Sequence, residues 1–449
     1  MKSKLLDIKL SPFELYTLVN REYRESFLLE SSKGKERLAR YSFIGFDPSK
    51  HLKANGKIVQ IEYEEREFEQ PIDAIKEQLP RERIERKGFI GGAVGYFSYD
   101  YARNLEQIPD NSKNDLKFPD FEFGIFDDAI VYDHIGKKVE YIYKKEDRSD
   151  QIMKLAKEEM FLGPFEAGSA KSNMGENEFC DAVEVAKESI KTGDIFQAVL
   201  SRRYEIPYEG NLLKFYSYLK RTNPSPYMYF LSFQDRKIIG SSPENLVRVE
   251  GNRIDSYATL AGTRPRGRTM EEDARFETEL MNDEKERAEH LMLVDLTRND
   301  VGKVAKFGTV NVPELMEVHK FSHVQHLSSH ISAELADGKD SYDSFNAIFP
   351  AGTLTGAPKV RAMEIIDKLE RNRRGAYGGA VGYFSANGNC DFAIAIRTLV
   401  AQRQKCYVQA GAGIVYDSIP RKEFVETENK AKALIKALGV KTYASITDR

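Results

Sequence analysis

Residues 91–98 read GGAVGYFS, and residues 378–385 read GGAVGYFS again. An eight-residue identity is hard to reach by chance, yet the flanks differ and no fixed repeat period follows. Glycines inside an apolar, aromatic run mark strands where another backbone comes close. One such strand in each half predicts a single interleaved core, not two beads on a linker.

Outward from the first copy, residues 1–162 read as an α/β region. Strands are predicted over 39–44, 57–63, 89–98 and 138–143, with helices near 12–20, 71–79 and 149–160. GPFEAGSAKSNMGEN, at 163–177, is small, polar and turn-rich, and reads as a linker. NEFCDAVEVAKESIKTG then reads as an amphipathic helix closed by Gly193. Strands and helices alternate to the end, so 178–449 forms the second region, partly interleaved with the first.

A chain of 449 residues can bury a large core. Its formal net charge of −3 gives no sign of a nucleic-acid or anionic-membrane partner. Cys180, Cys390 and Cys406 are widely spaced and form neither a disulfide framework nor a zinc signature, which suits a reducing cytoplasm. In MKSKLLDIKLSPF, Asp7 and Lys9 break any signal-peptide apolar run. No segment approaches the ~20 apolar residues of a membrane span. The chain contains no tryptophan.

Two acidic motifs carry the chemistry. Glu286 and Glu289 lie in ERAEHLMLVDLTRND, and Glu423 and Glu426 in PRKEFVETENKAKALIKAL. Residues three apart on a helix share a face, so each helix presents a pair of carboxylates. Beside the apolar run from Leu291 to Val294, unpaired carboxylates are costly, and a hard divalent cation relieves the cost. Oxygen ligands without a His/Cys cluster favour magnesium over zinc. The plain alternative is a solvated face paired with Arg287, Lys422 and Lys430; two such pairs around a glycine- and threonine-rich centre weigh against it.

Further along, alternation in DFAIAIRTLV puts Ala393, Ala395 and Arg397 on one strand face, with the arginine as a carboxylate receptor. In QAGAGIVYDS, Gly411 and Gly413 let backbone N–H groups approach an anion. PAGTLTGAPK (350–359) lacks the P-loop ending and reads as a loop leading into a helix. AGTRPRG (261–267) reads as a second, positively charged loop for carboxylates. His326, Ser328 and His330 alternate as the polar face of a strand, with His319 and His323 nearby. Glu244, in SSPENLV, sits on a strand-to-strand turn, ordinarily a place for an exposed carboxylate.

Together these stretches, with GDIFQAVLSRR, NPSPYMYF, VQHLSSH and RRGAYGGAVGYFS, resemble the chorismate-utilising enzymes, most closely anthranilate synthase component I. The match covers nearly all of 180–449, and LLESS (28–32) and RYSFIG (40–45) extend it. The resemblance implies an α/β fold of the α+β type, with two large, mainly antiparallel sheets facing each other and helices outside. It implies Mg2+ held by Glu289 and Glu426, with Glu286 and Glu423 close by. Gly262, Thr263, Tyr377, Arg397, Gly411, Ala412, Gly413 and Lys430 would line chorismate. Glu244 would be the acid that protonates the departing C4 hydroxyl, a role that needs a carboxyl kept neutral. His326 and Thr353 would orient substrate and assist proton transfer.

Within that family, isochorismate and salicylate synthases place a lysine base where this chain has Gln197, and aminodeoxychorismate synthases place a lysine nucleophile where it has Ala261. Both positions point to anthranilate, with aminodeoxychorismate as the runner-up product and a non-catalytic regulatory subunit as the reading from another class. Thr259 stands where the family usually has proline. No cysteine lies in a Gly-x-Cys-x-Gly turn, so ammonia would come from solution or from a separate glutamine amidotransferase subunit in a hetero-oligomer. The family's tryptophan inhibition would fall on Glu30, Ser31, Asn223, Pro226, Tyr227 and Met228.

Overall fold

The computed structural model describes residues 1–31, 40–257, 261–320 and 324–440. Thr259, Leu260 and His323 lie outside the described residues, as do the side chains of Ala261 and Thr263. Among the described residues, the strands form two antiparallel sheets. One runs through Lys2–Leu6, Lys138–Tyr143, Asp128–Asp133, Tyr41–Phe46, Ser26–Glu30, Tyr227–Phe233, Arg236–Ser242, Thr398–Gln402, Lys405–Ile414 and Gln197–Gly210. The other runs through Ala261–Pro265, Val324–Glu334, Arg253–Ser256, Asn245–Glu250, Cys390–Ile394, Ala380–Ser385, Gly92–Phe97, Phe121–Phe126 and Lys50–Asn55, and ends in two short strands. Asn311–Lys320 pairs with the other edge of Val324–Glu334. Residues 163–177 carry two short strands, Phe165–Ala167 and Lys171–Ser172, paired along Gln197–Gly210.

The order of strands reveals why the octapeptide occurs twice. Ser26–Glu30, Tyr41–Phe46, Lys50–Asn55, Gly92–Phe97, Phe121–Phe126 and Asp128–Asp133 hold places matched in the same chain order by six strands of the second half. Those six are Tyr227–Phe233, Arg236–Ser242, Asn245–Glu250, Ala380–Ser385, Cys390–Ile394 and Thr398–Gln402. The halves meet at two seams, Ser26–Glu30 against Tyr227–Phe233 and Gly92–Phe97 against Ala380–Ser385. At the second seam the two copies of the repeat pair with each other, and Gly95 stands opposite Gly382. A Cβ on Gly95 would fall 2.1 Å from Glu122 O, and one on Gly382 2.0 Å from Asp391 O. Each copy therefore needs glycine for the same reason, a neighbouring carbonyl at close approach.

The sheets face each other across a core that draws Phe27, Phe43, Tyr229 and Val400 from one sheet and Val94, Tyr96, Val381 and Ala393 from the other. Outside the first sheet pack the helices Pro12–Glu22, Leu213–Thr222 and Pro420–Ala437, through Tyr16, Tyr216 and Ile435. Outside the second pack Ile72–Gln78 and Ser341–Ile348, through Ile75 and Phe345. Burial on both faces is why strands such as Ala380–Ser385 read as continuous apolar runs without alternation. No helix among the described residues is long and apolar enough to cross a membrane.

Candidate active site

The site grows from a corner where the chain steps between sheets twice. Arg236–Ser242 ends, Pro243 and Glu244 turn the chain, and Asn245–Glu250 continues in the other sheet. Alongside, Cys390–Ile394 ends, Ala395–Arg397 cross back, and Thr398–Gln402 joins the first sheet. The backbone stitches the crossings together: Ile394 N–H donates to Glu244 O at 3.0 Å, and Ser241 N–H to Arg397 O at 3.2 Å. Because the turn lies between two sheets and not at a rim, Glu244 is only 3% exposed, against the ordinary expectation for a turn carboxylate.

Thr353 Oγ1 donates to Glu244 Oε1 at 3.0 Å, across 109 residues of sequence. Arg397 stands at φ +48°, in the left-handed region, and its alternation with Ala393 and Ala395 does not extend to it. Those alanines do face the inter-sheet core and Ile394 the outer one, but the ladder ends before the arginine. Burial pushes the Arg397 guanidinium below its ordinary value, and the charge of Glu244 opposes that shift.

The strand expected around His326 is present as Val324–Glu334. His326 Nδ1 lies 2.7 Å from Gly262 O. A carbonyl only accepts, so Nδ1 carries the proton. Burial pushes this histidine down to about 4, with the charges of Arg397 and Lys430 acting in the same direction. The ring is therefore neutral at ordinary pH, with its Nε2 lone pair intact. Gly262 itself sits at φ +64°, and a Cβ there would come 3.1 Å from Glu286 Oε2.

AGTRPRG corrects a second expectation. Ala261–Pro265 is an edge strand paired with Val324–Glu334, not a loop. Its arginines are already engaged by acids of the same chain: Arg264 pairs with Asp283 at 2.7 Å and Glu286 at 3.4 Å, and Arg266 with Asp273 at 2.7 Å.

On the far wall, Lys405–Ile414 brings Gly411 against the Tyr377 hydroxyl, 2.9 Å from where a Cβ would be. Lys430 Nζ donates to Gly411 O at 3.0 Å and pairs with Glu426 at 2.7 Å. Gly413 leaves room for Gln197, whose Nε2 would sit 2.7 Å from a Cβ. Ala412 turns the other way, into an apolar cluster with Phe179 and Leu200.

Glu286 and Glu289 lie on the helix Glu284–Gly302, and Glu423 and Glu426 on Pro420–Ala437. The Glu289 carboxyl is raised by burial first and then by Glu286, with Glu423 and Glu426 adding to it. Glu423 is raised by burial and by Glu426. The four carboxylates thus share one field, although no three of them gather their oxygens within 4.8 Å. An oxygen-only set of mutually repelling carboxylates fits Mg2+. Arg264 and Lys285 supply positive charge beside this set. The arginine of AGTRPRG was the visible signal for that role.

The residues expected to sense tryptophan also come together. Glu30 stands opposite Met228 in the seam and accepts from Tyr216 Oη at 3.0 Å and Lys220 Nζ at 2.6 Å. Ser31 N–H donates to Ser42 Oγ, and Tyr227 Oη donates to Asp391 at 2.9 Å. Pro226 is buried, and Asn223 O accepts the Ser241 hydroxyl, one residue from the crossing.

A family model described as chorismate binding enzyme matches residues 24–436. Anthranilate synthase component 1 of Methanothermobacter thermautotrophicus is 48% identical over 431 residues, covering 95% of this chain and 92% of that one. The protein of the same name from Aquifex aeolicus is 44% identical over 460 residues, covering 96% and 92%. The crystal structure of anthranilate synthase component I from Streptococcus pneumoniae superposes with a TM-score of 0.81 at 36% identity, covering 90% and 93%. The chain belongs to the chorismate-binding enzyme family.

Proposed function

We propose that this chain is the synthase subunit of an anthranilate synthase, turning chorismate and ammonia into anthranilate, pyruvate and water. The observation that carries this reading is the corner itself. A buried carboxyl, Glu244, is set against Arg397 and Thr353, beside a neutral His326 whose Nδ1 proton is committed to Gly262. Glu244 gives its proton to the C4 hydroxyl as it leaves, while Thr353 fixes the orientation of that carboxyl. Arg397 and Lys430 bind substrate carboxylates. His326, neutral and partly enclosed, accepts a proton as pyruvate departs and the ring becomes aromatic.

Glu286, Glu289, Glu423 and Glu426 would hold Mg2+, which neutralises them and supplies positive charge to the ring carboxylate of chorismate. Gln197 in place of a lysine base, and Ala261 in place of a lysine nucleophile, favour ammonia as nucleophile and anthranilate as product. Cys390 and Cys406 are buried and Cys180 is half-buried, which supports delivery of ammonia by a separate glutaminase subunit in the cytoplasm. Tryptophan would act at the seam of Glu30, Ser31, Asn223, Pro226, Tyr227 and Met228, where Ser241 bonds to both Asn223 and the Arg397 backbone.

The test is purified protein with chorismate, Mg2+ and ammonium at alkaline pH, read by fluorescence with products separated by chromatography. Anthranilate that vanishes with EDTA and falls with added tryptophan is the expected result. A para-aminobenzoate precursor would establish the runner-up activity instead.

A further inference from the structure

A buried ion pair, Arg374 with Glu370, adjoins two residues of the site and takes no part in the chemistry described above. The arginine is 3% exposed and the glutamate 6%. Arg374 Nε and one Nη donate to the two carboxylate oxygens at 2.9 and 2.6 Å. The remaining reach of the guanidinium goes to backbone, to Leu354 O at 2.6 Å and to Val199 O at 2.6 Å. Glu370 in turn accepts from the N–H and the hydroxyl of Ser201, each at 2.8 Å.

Every one of these partners belongs to a segment that carries the site. Leu354 follows Thr353, whose hydroxyl holds Glu244. Val199 and Ser201 stand opposite Gly413 and Gly411 on the paired strand, and Val199 N–H donates to Thr355 O at 2.8 Å. The guanidinium also lies over the Tyr99 ring at 4.5 Å and the Tyr377 ring at 5.7 Å. The Tyr377 hydroxyl takes a hydrogen bond from the Gly411 backbone, and Gly411 O holds Lys430. One side chain is thus joined, at a single remove, to Thr353, to Tyr377 and to the wall of Gly411 and Gly413.

Stability alone does not account for the pair, because burying two charges is costly and an apolar pair of similar volume often serves as well. What a guanidinium adds is direction, since its donors are fixed in one planar fork. The repeat supplies an internal comparison. Counted back from GGAVGYFS, the first half has Arg83, Lys87 and Ile90 where the second has Glu370, Arg374 and Tyr377. Arg83 and Lys87 are exposed. The pair therefore exists only in the half that contributes Glu244, Thr353 and Arg397.

We propose that Arg374 is a positioning residue of the active corner, with Glu370 as the partner that orients it. It sets Thr353 against Glu244 and Tyr377 against Gly411. The inference rests on the reading of Glu244 as the acid that Thr353 orients.

The experiment is a double-mutant cycle in the full chain, with kcat for anthranilate measured in the unsubstituted protein, Arg374→Lys, Thr353→Val and the two combined. Arg374→Lys keeps the charge and loses the fork, and should lower kcat by about 10²-fold, the scale of a 1 Å misplacement. In the Thr353→Val background the same change should cost less than about threefold, because residues that act through one contact do not add. Arg148→Lys is the same change at an arginine that forks onto Asp128 away from the site, and should lower the melting temperature with kcat kept. Circular dichroism separates loss of position from loss of fold. Glu370→Gln serves where Arg374→Lys does not fold, and should show the same non-additivity. Additive losses, or an unchanged kcat in Arg374→Lys beside an impaired Thr353→Val, would overturn the positioning role alone. An unsubstituted chain that yields no anthranilate would overturn the functional reading and this inference with it.

Discussion

The chain steps between its two sheets at two corners with matching topology and opposite chemistry. In the first, Tyr41–Phe46 passes to Lys50–Asn55 while Phe121–Phe126 passes back to Asp128–Asp133. In the second, Glu244 and Arg397 occupy the crossings. Both corners contain a residue in the left-handed region, Asp47 at φ +55° and Arg397 at φ +48°. Aspartate tolerates that conformation far better than arginine. The first corner is closed by a single guanidinium: Arg148 pairs with Asp47 at 3.0 Å and Asp128 at 2.7 Å, and Tyr141 donates to Asp128 at 2.5 Å. At the second, among the described residues, Arg397 forms no ion pair and faces Glu244 through charge alone. One corner pairs its charges with one another, and the other, among the described residues, leaves its arginine without an ion pair while holding a backbone that costs about 1–3 kcal/mol.

Substitution at each corner should separate these roles most sharply. Glu244→Gln should lower kcat for anthranilate formation by about 10²–10⁴-fold with the melting temperature nearly unchanged. Arg148→Ala should do the reverse, costing about 3 kcal/mol of stability by leaving Asp128 buried without its partner. Equal losses of kcat in both variants would erase the distinction.

Metal should discriminate next. At about 100 times its dissociation constant, Mg2+ should add about 2.7 kcal/mol of stability, and Glu426→Gln should remove most of that gain in a thermal melt. The Arg148→Ala variant should keep it in full.

The seam should respond symmetrically. Gly95→Ala and Gly382→Ala each press a methyl group onto a carbonyl and should cost a similar amount, about 1–3 kcal/mol in denaturant titration. A large disparity would show that one half tolerates strain the other cannot.

The last effect is that of pH. Burial pushes His290 and His326 down to about 4 from an ordinary 6.5. The unfolded chain takes up these protons first, so stability should fall as pH drops from about 6.5 toward 4. Hydrogen exchange should place that loss on Val324–Glu334 and the helix Glu284–Gly302, and leave the Arg148 corner unmoved.

Much of this was legible in local pattern. The repeated octapeptide announced a shared core, the two Glu-x-x-Glu motifs announced paired carboxylates on two helices, and the polar alternation of His326 and His330 announced their strand. What escaped was whatever depends on the chain changing sheets. Glu244 looked like an exposed turn residue because a strand-to-strand turn at a rim and one between two sheets share the same letters. Arg397 seemed to continue an alternation, but the ladder ends three residues earlier. AGTRPRG offered arginines, and nothing nearby said that Asp273, Asp283 and Glu286 would engage them. The hydrogen bonds of Glu30 to Tyr216 and Lys220 span 186 and 190 residues, beyond any local signal.

The pairing of Gly95 with Gly382 bears on what either half could do alone. Cut apart, the first half would present Ser26–Glu30 and Gly92–Phe97 as two bare edges, each with a row of unpaired backbone groups. Its natural remedy is another copy of itself, since the missing strands hold the same places in the sheets as its own and one of them repeats its sequence. Such a fragment would either close as a symmetric pair or polymerise, and the covalent join between the halves spares the chain that choice while letting the two corners differ in the residues they hold.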